Sequence, residues 1–139
     1  MKIKLEDVLE AIESASDEFE YYCNTESGEI IMYGDSMLTG IDQSDFLEEL
    51  EADDDNKYIE LPSKFEINDY HIMETFIWSL PEGEVRDELE DAIRGRGAFR
   101  RFKDKIYYFA LEEQWFSYRD SEYKRMAVRW CEDHNIEYI

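Results

Sequence analysis

The apolar residues of this 139-residue chain change their spacing near residue 62, and that change limits the folds open to it. Before it, aromatic and β-branched residues come in short runs around a glycine-bearing turn, as in "EFEYYCNTESGEIIMY", residues 18–33. Such runs suit strands, and the reading is a hairpin with strands near 19–24 and 29–34. "KYIELP", residues 57–62, reads as a third strand stopped by Pro62. An amphipathic helix is expected over 3–15, where Ile3, Val8, Ala11, Ile12 and Ala15 recur at helical spacing. Residues 35–56 carry less pattern: a helical turn around Phe46, Leu47 and Leu50, then the solvated run Asp53-Asp54-Asp55-Asn56.

Beyond Pro62 the period is helical. Asn68 or Asp69 can cap a helix carrying Tyr70, Met73, Phe76, Ile77 and Leu80. Pro81-Glu82-Gly83 separates it from a helix with Val85, Leu89, Ala92 and Ile93, which Gly95 is placed to stop. After Gly97 a short helix is expected to bury Phe99, Phe102 and Ile106. The last helical stretch runs from about Leu111 to His134 with a break expected near Ser117–Asp120, and Asn135 fits the left-handed position after it. The expected fold is α+β in a single domain over 1–139: a small antiparallel sheet of about three strands packed against a C-terminal helical cluster.

Charge is spread unevenly. Residues 1–93 hold 28 acidic and 5 basic side chains, while 94–139 hold 8 and 10, within a formal net charge of −21. With 43% apolar and 15% aromatic residues the chain has material for a core, so its charge does not imply disorder. No apolar run reaches the ~18 residues of a membrane span. "MKIKLEDVLEAIESA" meets acids at once and lacks a signal-peptide core, which makes a cytoplasmic location the default and gives no reason to expect a membrane partner. Cys23 and Cys131 are far apart and outside any CxxC motif, as expected of reduced, packed thiols.

Six of the fifteen cations gather in "IRGRGAFRRFKDK", residues 93–105. A helix-stop glycine, an arginine, a second glycine and a helix start can bring unpaired backbone N–H groups together. Arg96, Arg100, Arg101 and Lys103 beside Gly95 and Gly97 would then suit a phosphate, a carboxylate or an acidic partner. Trp115, Tyr118 and Arg119 are further candidates on the next helix. The plainer reading pairs Arg100 or Arg101 with Glu88, Asp91 or the acidic half of the chain. Nucleic acid could stack on Phe99, Tyr107, Tyr108 or Trp115, but the net charge of −21 opposes a polyanion. The mirror reading makes Glu48, Glu49, Glu51, Asp53, Asp54 and Asp55 a nucleic-acid mimic or a site for a basic protein.

"RGRGAFRRFKD", followed by "EEQWFSYRD" and "WCEDHNI", resembles a bacterial group known as Uncharacterised Protein Family 0158. The similarity extends to the "TESGEI" hairpin and Leu61-Pro62. It implies no established activity. At Asn135 such families more often carry Gly, and both residues tolerate the same backbone conformation.

No residue set forms a recognisable catalytic centre. Two histidines and two separated cysteines lack zinc spacing. "DQSDFLEELEADDD" lacks the glycine and ordered ligands of an EF-hand loop. "GRGAF" lacks the third glycine and the strand–helix–strand setting of a dinucleotide site. No cofactor or metal is expected. The expected function is a small non-enzymatic interaction or regulatory domain with an anion-binding segment at 95–105. Its expected partner is another protein, or else a small anion or phosphate-bearing ligand, and a homo-oligomer stays open. An enzyme acting on a phosphorylated small molecule and a nucleic-acid-binding or -mimicking protein are the alternatives.

Overall fold

Residues 2–3 and 137–138 pair with each other. In the computed structural model, which describes residues 2–34, 37 and 40–139, β1 (Lys2–Ile3) runs parallel to β5 (Glu137–Tyr138). Ile139 N donates to Ile3 O at 2.9 Å and Leu5 N to Ile139 O at 3.1 Å, while the Ile3 side chain is buried. Two-residue strands have no sequence period, so nothing in the apolar pattern announced this pair. Residues 35, 36, 38 and 39, within the weakly patterned stretch, lie outside the described residues together with residue 1.

The architecture is α+β, with a three-stranded antiparallel sheet and a helical cluster toward the C-terminus. The described residues form two compact units, Met1–Ile67 with Tyr123–Ile139, and Asn68–Glu122.

In the first unit α1 (Leu5–Glu13) buries Val8, Ala11 and Ile12, the stripe its spacing predicts. The sheet order is β3-β2-β4, with β2 (Phe19–Asn24) between β3 (Ile30–Gly34) and β4 (Tyr58–Glu60). Asn24 makes the hairpin turn. Its side-chain oxygen accepts from Glu26 N at 2.9 Å, its carbonyl from Gly28 N at 2.7 Å, and Gly28 takes a positive φ of 81°. Alternation then divides the strand. Cys23 is fully buried opposite Ile30 and Ile59. Tyr22 faces the other way, toward Phe46 of α2 (Ser44–Glu51), with ring centroids 5.8 Å apart. Phe46 also meets Tyr58 edge to face at 5.2 Å. Helix α2 buries no residue fully, and Phe46 is its main anchor. α3 (Lys64–Ile67) follows β4, and the Trp130 indole donates to Glu60 O at 3.0 Å.

In the second unit α4 (Asp69–Ser79) starts at Asn68, which takes φ 52° and whose side chain accepts from His71 N at 3.2 Å. α5 (Glu84–Ala92) and α6 (Ala98–Tyr108) follow. α7 (Glu112–Asp133) carries its first residues here and its last in the first unit. Phe76, Phe102 and Trp115 form a buried triangle with centroid distances of 4.8–6.4 Å. Two expectations are corrected. α7 is continuous, because Ser117 and Asp120 lie exposed, where weak helix formers cost only tenths of a kcal/mol (about 0.5). The inward row of α6 is Ala98, Phe102 and Ile106, and Phe99 is left 49% exposed. On an 11-residue helix, choosing an aromatic over an alanine as the first inward position mistakes the phase by one residue.

Glu60 sits across from Tyr22 on β2. Partial burial, then the carboxylates of Glu20 and Glu66, raise its pKa above the usual carboxylate value. A raised pKa means the ionised form opposes folding above that pKa and the cost vanishes below the unfolded value. Glu60→Gln is therefore expected to raise the urea midpoint at pH 7 and to leave it unchanged near pH 3, about a unit below the ordinary value. An equal effect at both pH values would contradict this.

Candidate functional site

The glycine junction between α5 and α6 gathers carbonyl oxygens rather than amides. α5 ends at Ala92, and Gly95 and Gly97 take positive φ of 74° and 75°, values that favour glycine. These turns leave the carbonyls of Ala92, Arg94 and Arg96 without helical partners and aim them at one point. Arg101 fills that point. Its Nε donates to Ala92 O at 2.9 Å, its Nη1 to Arg96 O and its Nη2 to Arg94 O. A planar guanidinium with five fixed donors suits this task, and an ammonium does not. The same geometry explains Gly97 a second way: a Cβ there would stand 3.1 Å from Arg101 Nη1.

This placement gives Arg101 partners within the chain. Three of its donors go to main-chain carbonyls rather than to the acids expected as structural partners. Gly95 and Gly97 shape the turn whose carbonyls receive the protein's own cation. Trp115 is only 8% exposed and packs against Phe102 with centroids 4.8 Å apart, so it belongs to the core rather than to a contact surface. The Tyr118 hydroxyl donates to Thr75 Oγ1 at 2.7 Å, holding α7 to α4. The Arg119 guanidinium lies 5.1 Å from the Phe116 ring and 3.4 Å from Asp120.

The remaining cations divide cleanly. Arg94 pairs with Asp91 at 3.6 Å and Lys105 with Glu88 at 3.7 Å, both exposed or half-exposed pairs of small energetic weight. Arg96, Arg100 and Lys103 are exposed and, among the described residues, their side chains enter no ion pair or hydrogen bond. At about 100° per residue, Arg100, Lys103 and Tyr107 share the solvent side of α6, with Phe99 at its edge. Tyr107 is 79% exposed. Two aromatic rings, Phe99 and Tyr107, thus bracket two unpaired cations along one helix face, with Arg96 just before it. The same aromatic that breaks the inward pattern of α6 completes the outward one.

Beside this face, α5 and α6 border a cleft of about 420 Å³ lined by Glu88, Asp91, Ala92, Arg101, Asp104 and Lys105. Three carboxylates against two cations, one of them occupied by carbonyls, give it no net attraction for a phosphate. Other candidates have local partners. His71 Nδ1 lies 3.5 Å from Glu74, and His134 Nδ1 lies 2.8 Å from Trp130 O. Burial raises the Cys23 thiol pKa, and burial with Cys23 and Glu132 pushes that of Cys131 up to about 11, which keeps it protonated and unreactive at neutral pH. In the acidic run Asp53 accepts from the backbone N–H groups of Lys57 and Tyr58, each at 3.0 Å, and Glu49 accepts from the Tyr58 hydroxyl at 2.6 Å. Glu48, Glu51, Asp54 and Asp55 stay at the surface.

The two kinds of arginine separate by stability. Arg101→Lys keeps the charge but cannot reach three carbonyls, and it is expected to cost about 1–3 kcal/mol in urea unfolding. Arg96→Ala and Arg100→Ala are expected to stay within about 0.5 kcal/mol of the parent. Equal losses for Arg100→Ala and Arg101→Lys would contradict the assignment.

The chain matches the family model described as "Uncharacterised protein family (UPF0158)" over residues 1–139, its whole length. No curated protein and no solved structure matches it significantly. Among the described residues, no helix is long and apolar enough to cross a membrane. The glycine–aromatic–arginine junction is thus a feature of a chain that belongs to the UPF0158 family.

Proposed function

We propose that this chain is a non-enzymatic interaction domain whose contact surface is the outer face of α6, and that its partner is an acidic protein segment. One observation carries the reading. In a chain with 36 acidic side chains, Arg96, Arg100 and Lys103 stand exposed with no carboxylate paired to them among the described residues. Cations left unpaired beside exposed Phe99 and Tyr107 match the composition of interface centres, where aromatics and Arg are enriched. Arg101 supports the surface from behind by fixing the junction from which α6 starts. The carboxylate-lined cleft next to it weighs against a phosphorylated substrate, and the net charge of −21 weighs against nucleic acid.

A fluorescent peptide of about a dozen residues alternating Glu and Leu is the direct probe, read by anisotropy against a single-stranded oligonucleotide and inorganic phosphate. The peptide is expected to bind, and Arg100→Glu/Lys103→Glu to weaken it at least about tenfold with an unchanged melting temperature. Binding of the oligonucleotide or phosphate alone would replace this reading, and no binding of the peptide at low salt would overturn it.

A further inference from the structure

We propose that the acidic segment received by the α6 face is helix α2 of a second copy of this chain; this rests on the interaction reading above. The two helices carry complementary patterns. α6 presents Phe99, Arg100 and Lys103, an apolar side chain followed by charges one and four residues on. α2 presents Leu47, Glu48 and Glu51 at the same offsets with the opposite sign. With Phe46 and Leu50 turned toward the sheet side, helical geometry at about 100° per residue sends Leu47, Glu48 and Glu51 outward. Leu47 is 38% exposed and α2 buries no residue fully.

The supply of carboxylates agrees. Glu49 is engaged by the Tyr58 hydroxyl and Asp53 by two backbone N–H groups. Glu48, Glu51, Asp54 and Asp55 are exposed, enough to face Arg96, Arg100 and Lys103. Within its own unit, each of these cation and acid side chains is free of ion pairs among the described residues. The large negative charge of each copy opposes association at long range, but at about 0.15 M salt interactions beyond about 8 Å are screened and the local match decides. The two surfaces differ, so the contact is heterologous. It closes into a small ring or continues head to tail.

Sedimentation velocity across a concentration series in physiological salt tests this. The parent is expected to move from monomer to larger species, reversed by high salt. Arg100→Glu/Lys103→Glu and Glu48→Lys/Glu51→Lys are each expected to stay monomeric, and an equimolar mixture of the two to associate again. Circular dichroism melting confirms that each variant is folded, with Arg100→Ala/Lys103→Ala as a milder replacement. A parent that stays monomeric at about 1 mM, above the range of most specific contacts, overturns the proposal. Variants that associate like the parent, or a mixture that fails to associate, overturn it as well. If the Glu–Leu peptide still binds wild type in those cases, the acidic-partner reading stands and only the identity of the partner falls.

Discussion

The arrangement of the second unit depends on one guanidinium. Arg101 reaches back across the α5–α6 turn and satisfies carbonyls that a helix ending in two positive-φ glycines leaves open. Exposed carbonyls could be met by water, so the contribution is one of geometry as much as energy. Water would leave the turn free to vary, whereas a rigid fork of donors fixes three acceptors at once. With the turn fixed, the start of α6 and the direction of its outer face are fixed too. Phe102 then enters the triangle with Phe76 and Trp115, and Phe99 is turned out.

That division of labour among neighbouring arginines is the main physical content of the basic segment. Arg101 is tied to main-chain carbonyls, Arg94 makes an exposed local pair, and the side chains of Arg96 and Arg100 are uncommitted. Charge alone does not distinguish them. Acidic residues divide in the same way: Glu49 and Asp53 close local hydrogen bonds around β4, while Glu48 and Glu51 face outward. A side chain used by the fold and one left at the surface can stand next to each other in sequence.

Much of the fold is legible in the residues. The hairpin, its turn glycine, the third strand and the left-handed positions at Asn68 and Asn135 follow from period and turn chemistry, because those signals act over a few neighbouring residues. The β1–β5 pair is not legible, since two residues cannot show alternation and their partner lies more than a hundred positions away. The candidate segment was visible as a cluster of cations between glycines. The capture of its arginine by carbonyls is not, because acceptors on the main chain leave no trace in residue type. The signal available was indirect: two glycines in succession around one arginine imply open carbonyls, and an arginine one turn into the next helix is in reach of them. Trp115 is ambiguous in sequence for a related reason, since aromatic rings serve core and surface alike and only packing tells them apart.

Hydrogen exchange at the arginine side chains tests the central claim most directly. The Nε–H resonances can be followed one by one after transfer to deuterated buffer. Arg101, bonded through Nε to Ala92 O, should exchange markedly more slowly than Arg96 and Arg100, whose side chains face solvent. If Arg101 exchanges as fast as its neighbours, the guanidinium is not held by the junction, and neither the turn nor the face it supports is fixed in the way described.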